Sequence, residues 1–116
     1  MPRRDWRLRV ADMLDAAETA VSIAKGLERD EFLGVRILVD AAIKNITVVG
    51  EAATHVPELV AARWPDIPWR DMRDMRNFIV HEYFGVNPDV LWGTVTDDLP
   101  AVVPLLRHML EDEPSA

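Results

Sequence analysis

Residues 76–85 read RNFIVHEYFG and set Arg76, Asn77, His81, Glu82 and Tyr83 among Phe78, Ile79, Val80 and Phe84. Histidine carries protons near neutral pH. The planar guanidinium of arginine clamps phosphate or carboxylate oxygens through paired donors. An acid–base group, an anion clamp and a phenol within one short apolar segment suggest proton-transfer chemistry on an anionic group. At about 100° per residue, Asn77 and His81 are four apart and share one helix face, while Arg76 and Tyr83, seven apart, nearly align. Arg76 and His81 fall about 140° from one another on an ideal helix. One chain therefore does not bring both onto one flat surface, whereas a second copy across a two-fold axis offers the same residues from the opposite direction. The spacing asks for a dimer.

Each of these residues also has an ordinary structural use. A histidine near a helix C-terminus can cap it or complement its dipole. Tyr83 can be a core aromatic with its hydroxyl at the rim, and Arg76 can pair with Glu51 or Glu82. Taken singly, each explanation holds; together they must account for three such groups in one otherwise apolar stretch. Around them lie weaker candidates. Glu51 could position Arg76 or Arg73 across two helices, or simply bridge helices, and the bridge is favoured. Arg63, Arg70, Arg73 and Arg76 cluster ahead of His81, and Arg70 and Arg73 are the candidates for holding a polyanion. His55 and His108 lie far from His81 in sequence, show no metal-ligand spacing and read as surface histidines, so no metal site is expected. Trp6, Trp64, Trp69 and Trp92 read as core or interface anchors. Asp71, Asp74, Glu82 and Asp89 read as a solvated acidic face that a partner could dock on.

Composition bounds these options. The net charge is −7, from 20 acidic and 13 basic residues. Sequence-independent coating of nucleic acid needs a basic surface, so that class is excluded and only a local site for a polyanion remains. The absence of cysteine excludes a disulfide framework, a thiolate metal site and a cysteine nucleophile, and it fits a reducing cytoplasm. The opening MPRRDWRLRVADML is basic but lacks an apolar core, because Asp12 and Asp15 interrupt it at helical spacing. No apolar run approaches membrane-spanning length. The expectation is a cytoplasmic protein without membrane attachment. At 116 residues, it reads as one domain over 1–116 whose tail, EDEPSA from 111 to 116, frays.

The elements that must hold the motif are helical throughout. Trp6, Val10, Met13, Leu14, Ala17, Val21, Ala24 and Leu27 recur at steps of three and four, with Asp5 placed to cap the start and Gly26 to close the end. A second helix is expected from about Asp30 to His55. Pro57 suits the first turn of a short third helix that Pro65 ends, and PDIPW is a tight connector. Pro68 restarts a fourth helix running through about His81, which Gly85 breaks. Asn87-Pro88 caps a fifth helix reaching about Leu110, with Pro100 and Pro104 bending or restarting it. No segment alternates with period two. The expected fold is an all-α bundle of four main helices and one short one.

Arginine, four residues, histidine, one residue, tyrosine, standing here as Arg76, His81 and Tyr83, resembles the motif of HepT-type toxins of the HEPN superfamily. The likeness extends in order through VGEAATHVPE (49–58), WPDIPWRDMRDMRN (64–77), VHEYFGV (80–86) and LWGTVTDDLP (91–100), so it covers about Glu31 to Pro100. An isolated Arg-x4-His carries little weight; in this succession it is specific. The resemblance implies a HEPN-like bundle and a ribonuclease toxin that works as a homodimer, with the motif helices of two protomers forming a cleft. It also implies a type VII-like toxin–antitoxin pair, in which an MntA-like nucleotidyltransferase antitoxin uses ATP to transfer AMP onto the motif tyrosine, here Tyr83. This chain itself would need no cofactor.

The residues suit that chemistry. RNA is cut without metal when a base takes the 2′-hydroxyl proton and the oxygen attacks the adjacent phosphorus. His81 is the candidate acid–base group and Arg76 the phosphate clamp, offsetting charge on the non-bridging oxygens; Asn77 supports either. AMP on Tyr83 would add bulk and negative charge where substrate phosphate must sit. A second class of function stays open: a non-catalytic helical module that binds a minimal nucleotidyltransferase and nucleotide. Intact Arg76, His81 and Tyr83 favour the enzyme.

Overall fold

The computed structural model describes residues 5–77 and 87–112. These residues form an all-α bundle, with no strand among them. In chain order the helices are α1 (Trp6–Ala24), α2 (Arg29–Leu33), α3 (Arg36–Ala53), α4 (Glu58–Ala61) and α5 (Trp69–Asp74). A 3₁₀ turn, Met75–Asn77, extends α5. After the undescribed stretch come α6 (Pro88–Gly93), a π turn (Thr94–Asp98) and α7 (Leu99–Asp112).

The bundle's centre is α1, which packs against α3 and α7. Its buried stripe is rich in small residues, Ala16, Ala17, Ala20 and Ala24 beside Val10 and Met13, which lets neighbouring helices approach closely. Ile43, Ile46 and Val49 of α3 and Leu99, Val102, Leu106 and Met109 of α7 fill the other side. Asp5 caps α1 by accepting the Arg7 N–H at 2.9 Å. Gly26, at φ +80°, turns the chain away from it as the sequence suggests.

Three expectations are corrected in detail. The helix expected over 30–55 is two: Gly34 ends α2 and Val35 is extended before α3 begins. A capping box of Glu28 and Glu31 gives α2 its own start. Of the helix expected to run from Pro68 through His81, Trp69–Asp74 is α-helical and Met75–Asn77 tightens into a 3₁₀ turn, while the stretch from 78 to His81 lies outside the described residues. The offset of about 140° expected between Arg76 and His81 spans residues 78–81, which lie outside the described residues. The fifth helix is bent at a definite place. Pro100 cannot donate to Thr96, and a turn earlier the ladder widens so that the Leu99 N–H reaches Thr94 O. Thr94 and Thr96 hydroxyls donate to Val90 O and Trp92 O in the same stretch, at 2.8 and 2.7 Å. No helix among the described residues is long and apolar enough to cross a membrane.

Candidate active site

Arg76 and Asn77 lie exposed on the 3₁₀ turn at the end of α5. What holds that turn begins with the connector before it. Ile67 and Trp69 are buried, and the Trp69 indole N–H donates to Trp64 O at 3.0 Å, closing PDIPW into a tight loop. Met72 and Met75, three apart, bury the inner side of α5 and of the turn. Beneath the turn, α3 comes unusually near: a Cβ on Gly50 would stand 2.1 Å from the Arg76 backbone nitrogen. Sequence reasoning missed this glycine, quoting it only inside VGEAATHVPE. The available signal was a glycine in a helix interior, which costs about 1 kcal/mol against alanine and so calls for a packing reason.

The other predicted site residues separate into two groups. Arg70 is exposed and points no hydrogen bond into the described structure. Arg73 is engaged by the fold. Its guanidinium pairs with Glu58 at 2.7 Å and donates to Ala53 O at 3.3 Å and Val56 O at 3.5 Å. It also lies 5.8 Å from the centroid of the Trp69 ring. The carboxylate facing Arg73 is thus Glu58 of α4, where Glu51 had been considered. Glu51 pairs with His55, one turn along α3, at 3.1 Å. His108 likewise pairs with Asp112 at 2.8 Å and sets its ring edge-on to Trp64. Both histidines are exposed, as expected of surface residues. His81, Glu82 and Tyr83 fall outside the described residues, so the acid–base candidate and the modification candidate are not placed relative to Arg76.

The reverse side of α5 is acidic. Asp66, Asp71, Asp74, Asp97 and Asp98 line a cleft of about 450 Å³ floored by Met72, Met75, Val102 and Leu105. Partial burial, with the charges of Asp97 and Asp71 close by, raises the Asp98 carboxyl above its ordinary range. Asp89, read from sequence as part of this acidic face, belongs elsewhere: it pairs with Arg29 of α2 at 2.6 Å. The hydrogen bond that Arg29 donates to Asp89 is the main cause raising Arg29 above its ordinary value. Among the described residues, no three His, Asp or Glu side chains are grouped to hold a metal ion.

The model of the HepT-like ribonuclease family matches residues 13–109, a span that runs from within α1 to within α7 and includes residues 76–83. The chain belongs to the HepT-like ribonuclease family. Among its HepT-like relatives is a protein of Thermococcus cleftensis named "Probable ribonuclease HepT", 32% identical over 100 residues, covering 86% of this chain and 91% of that one. A provisionally named RNase of Methanocaldococcus jannaschii is 29% identical over 112 residues, covering 97% and 93%. Another, of Caldanaerobacter subterraneus subsp. tengcongensis, is 27% identical over 101 residues, covering 87% and 90%. No solved structure gives a significant match. The family assignment agrees with the all-α bundle and with the resemblance read from the motif.

Proposed function

We propose that this protein is a toxin ribonuclease that cuts RNA without metal as a homodimer, with His81 moving the proton and Arg76 holding the phosphate. Its partner is an MntA-like nucleotidyltransferase antitoxin that silences it by attaching AMP to Tyr83, at the expense of ATP. The observation that carries this reading is family membership over residues 13–109, with Arg76, His81 and Tyr83 intact inside the match. The exposure of Arg76 and Asn77 on a turn anchored by buried Met72 and Met75 supports it. So does the commitment of Arg73 to the fold, which leaves Arg76 and Arg70 as the basic side chains directed to solvent on this segment.

In this mechanism the His81 imidazole takes the 2′-hydroxyl proton, and the 2′-oxygen attacks phosphorus and expels the 5′-oxygen, which is reprotonated. Arg76 offsets the charge gathering on the non-bridging oxygens. Neither step calls for a metal ion. Asn77 and Glu51 support the site, Asn77 by orienting the phosphate or the histidine.

Purified, unmodified protein incubated with RNA in EDTA tests the proposal. The wild type should leave 2′,3′-cyclic phosphate ends. His81→Ala should leave the RNA intact while still melting cooperatively, since even a histidine that complements a helix dipole contributes at most about 2 kcal/mol. Cleavage by His81→Ala at the wild-type rate would remove histidine from the mechanism. A wild type that binds a nucleotidyltransferase yet never cuts RNA would favour the non-catalytic module.

A further inference from the structure

Gly50 lies near the end of α3 and is buried. Glycine weakens a helix interior, so one kept there needs a spatial reason. The reason lies across the interface. A Cβ at this position would meet the Arg76 backbone nitrogen at 2.1 Å, the Met75 carbonyl carbon at 2.7 Å and the Arg76 Cα at 2.8 Å. All three are backbone atoms, so no change of rotamer relieves the contact. The Cα of Gly50 therefore rests directly on the peptide joining Met75 to Arg76. Buried Met72 and Met75 hold that peptide down, and buried Val49 and Ala53 hold α3 up to it. How closely the two backbones approach sets the point from which the Arg76 side chain departs.

We infer that Gly50 is a positioning residue for RNA cleavage, placing the Arg76 guanidinium against the substrate phosphate through this glycine-to-peptide contact. The inference rests on Arg76 being the phosphate clamp proposed above. Gly50 is buried beneath the turn and acts through Arg76. An alanine there must push the Met75–Arg76 peptide from 2.1 Å out to an ordinary separation of 3.4 Å or more. Misplacing a clamp by about an ångström lowers reaction rates by as much as about 100-fold.

The experiment is a double-mutant cycle on RNA cleavage, with Gly50→Ala, Arg76→Lys and the pair, each accompanied by a melting curve. Lysine keeps the charge at 76 but not the paired donors. Gly50→Ala should slow cleavage by roughly 10- to 100-fold. Met13→Ala, which opens a core cavity on α1 away from the turn, should lower the melting temperature yet stay within about threefold of wild-type cleavage. If Gly50 works through Arg76, adding Gly50→Ala to Arg76→Lys should cost less than about threefold more. An equal loss in both backgrounds, or a Gly50→Ala protein that cuts like wild type, would overturn the inference. Should Arg76→Lys itself cut at the wild-type rate, the clamp assignment fails, and that outcome is distinct from a failure of Gly50 alone. The contact can also be read in the wild type, whether or not Gly50→Ala folds. A strong nuclear Overhauser effect is expected between the Gly50 Hα protons and the Arg76 amide, and its absence would equally overturn the inference.

Discussion

Arg73→Ala separates an arginine that holds the fold from one that holds RNA. Its side chain is only 25% exposed and pairs with a Glu58 that is 82% exposed. Two carbonyls at and just beyond the C-terminal end of α3, Ala53 O and Val56 O, receive its N–H groups at 3.3 and 3.5 Å. A helix end leaves such carbonyls without partners inside the helix; Ala53 O takes the Val56 N–H at 3.3 Å, and Arg73 adds a cationic donor to it and to Val56 O. Hydrogen bonds to charged groups contribute about 1.5–3 kcal/mol when well formed, and these long ones together contribute roughly 1 kcal/mol. The exposed ion pair adds a few tenths of a kcal/mol. Stacking over Trp69 adds about 0.5 kcal/mol. The sum is about 2 kcal/mol, or a fall in melting temperature of roughly 8 °C for a domain of this size.

The assay is thermal unfolding followed by circular dichroism, run beside RNA affinity, with two control variants. Glu58→Ala removes the exposed ion pair alone and should cost no more than about 0.5 kcal/mol. Arg70→Ala should leave the melting temperature unchanged and weaken RNA binding, since Arg70 is exposed on the same helix. An Arg73→Ala protein that melts with the wild type but binds RNA less well than Arg70→Ala would refute the assignment. Arg73 would then be a substrate contact.

Three further outcomes are expected. Asn87→Ala should cost α6 about 1 kcal/mol by chemical denaturation, because the Asn87 Oδ1 accepts from the Asp89 and Val90 N–H groups at 2.8 and 3.3 Å. Asp98 has its carboxyl raised by partial burial and by Asp97 and Asp71, so the folded state disfavours its charged form, and stability falls as pH rises through the window above the ordinary aspartate value. Asp98→Asn should therefore melt higher than wild type at neutral pH, by no more than about 0.5 kcal/mol, and the gap should close below about pH 4. Tyr83→Phe should keep cutting RNA but gain no AMP by intact mass after incubation with the neighbouring nucleotidyltransferase and ATP; a variant modified as readily as wild type would remove Tyr83 as the switch.

The sequence made the helices legible where one periodicity ran unbroken. The α1 stripe, the Asp5 cap, Gly26 as a stop and the Asn87 cap all stand where their residue types indicate. What escaped were features set by tertiary contact. The break between α2 and α3 turns on Gly34 and Val35, each of which a long helix tolerates. The tightening at Met75–Asn77 leaves no mark in the residues it affects, because it accompanies the approach of α3 from beneath. Arg73 and Arg76 are identical residues three apart, and their spacing does not say that one reaches back to Ala53 and Val56 while the other faces solvent. Glu51 was considered for Arg76 or Arg73 across two helices or as an interhelical bridge, and its side-chain partner, His55, sits one turn further along the chain. The motif itself was legible as chemistry and as a family resemblance.

How a chain of net charge −7 can address a polyanion follows from the two sides of α5. Asp71 and Asp74 turn toward Asp66, Asp97 and Asp98, and partial burial, with the charges of Asp97 and Asp71 close by, raises the Asp98 carboxyl. Five carboxylates are thereby gathered in one cleft. On the proposed mechanism, RNA phosphate would be repelled by the acidic cleft and attracted to the exposed Arg76. Arg73 has its charge partly offset by Glu58. The turn that carries Arg76 is thus basic at its tip, neutralised at its root and acidic behind. On the proposed mechanism, that arrangement admits a phosphate to one place on an otherwise repelling surface.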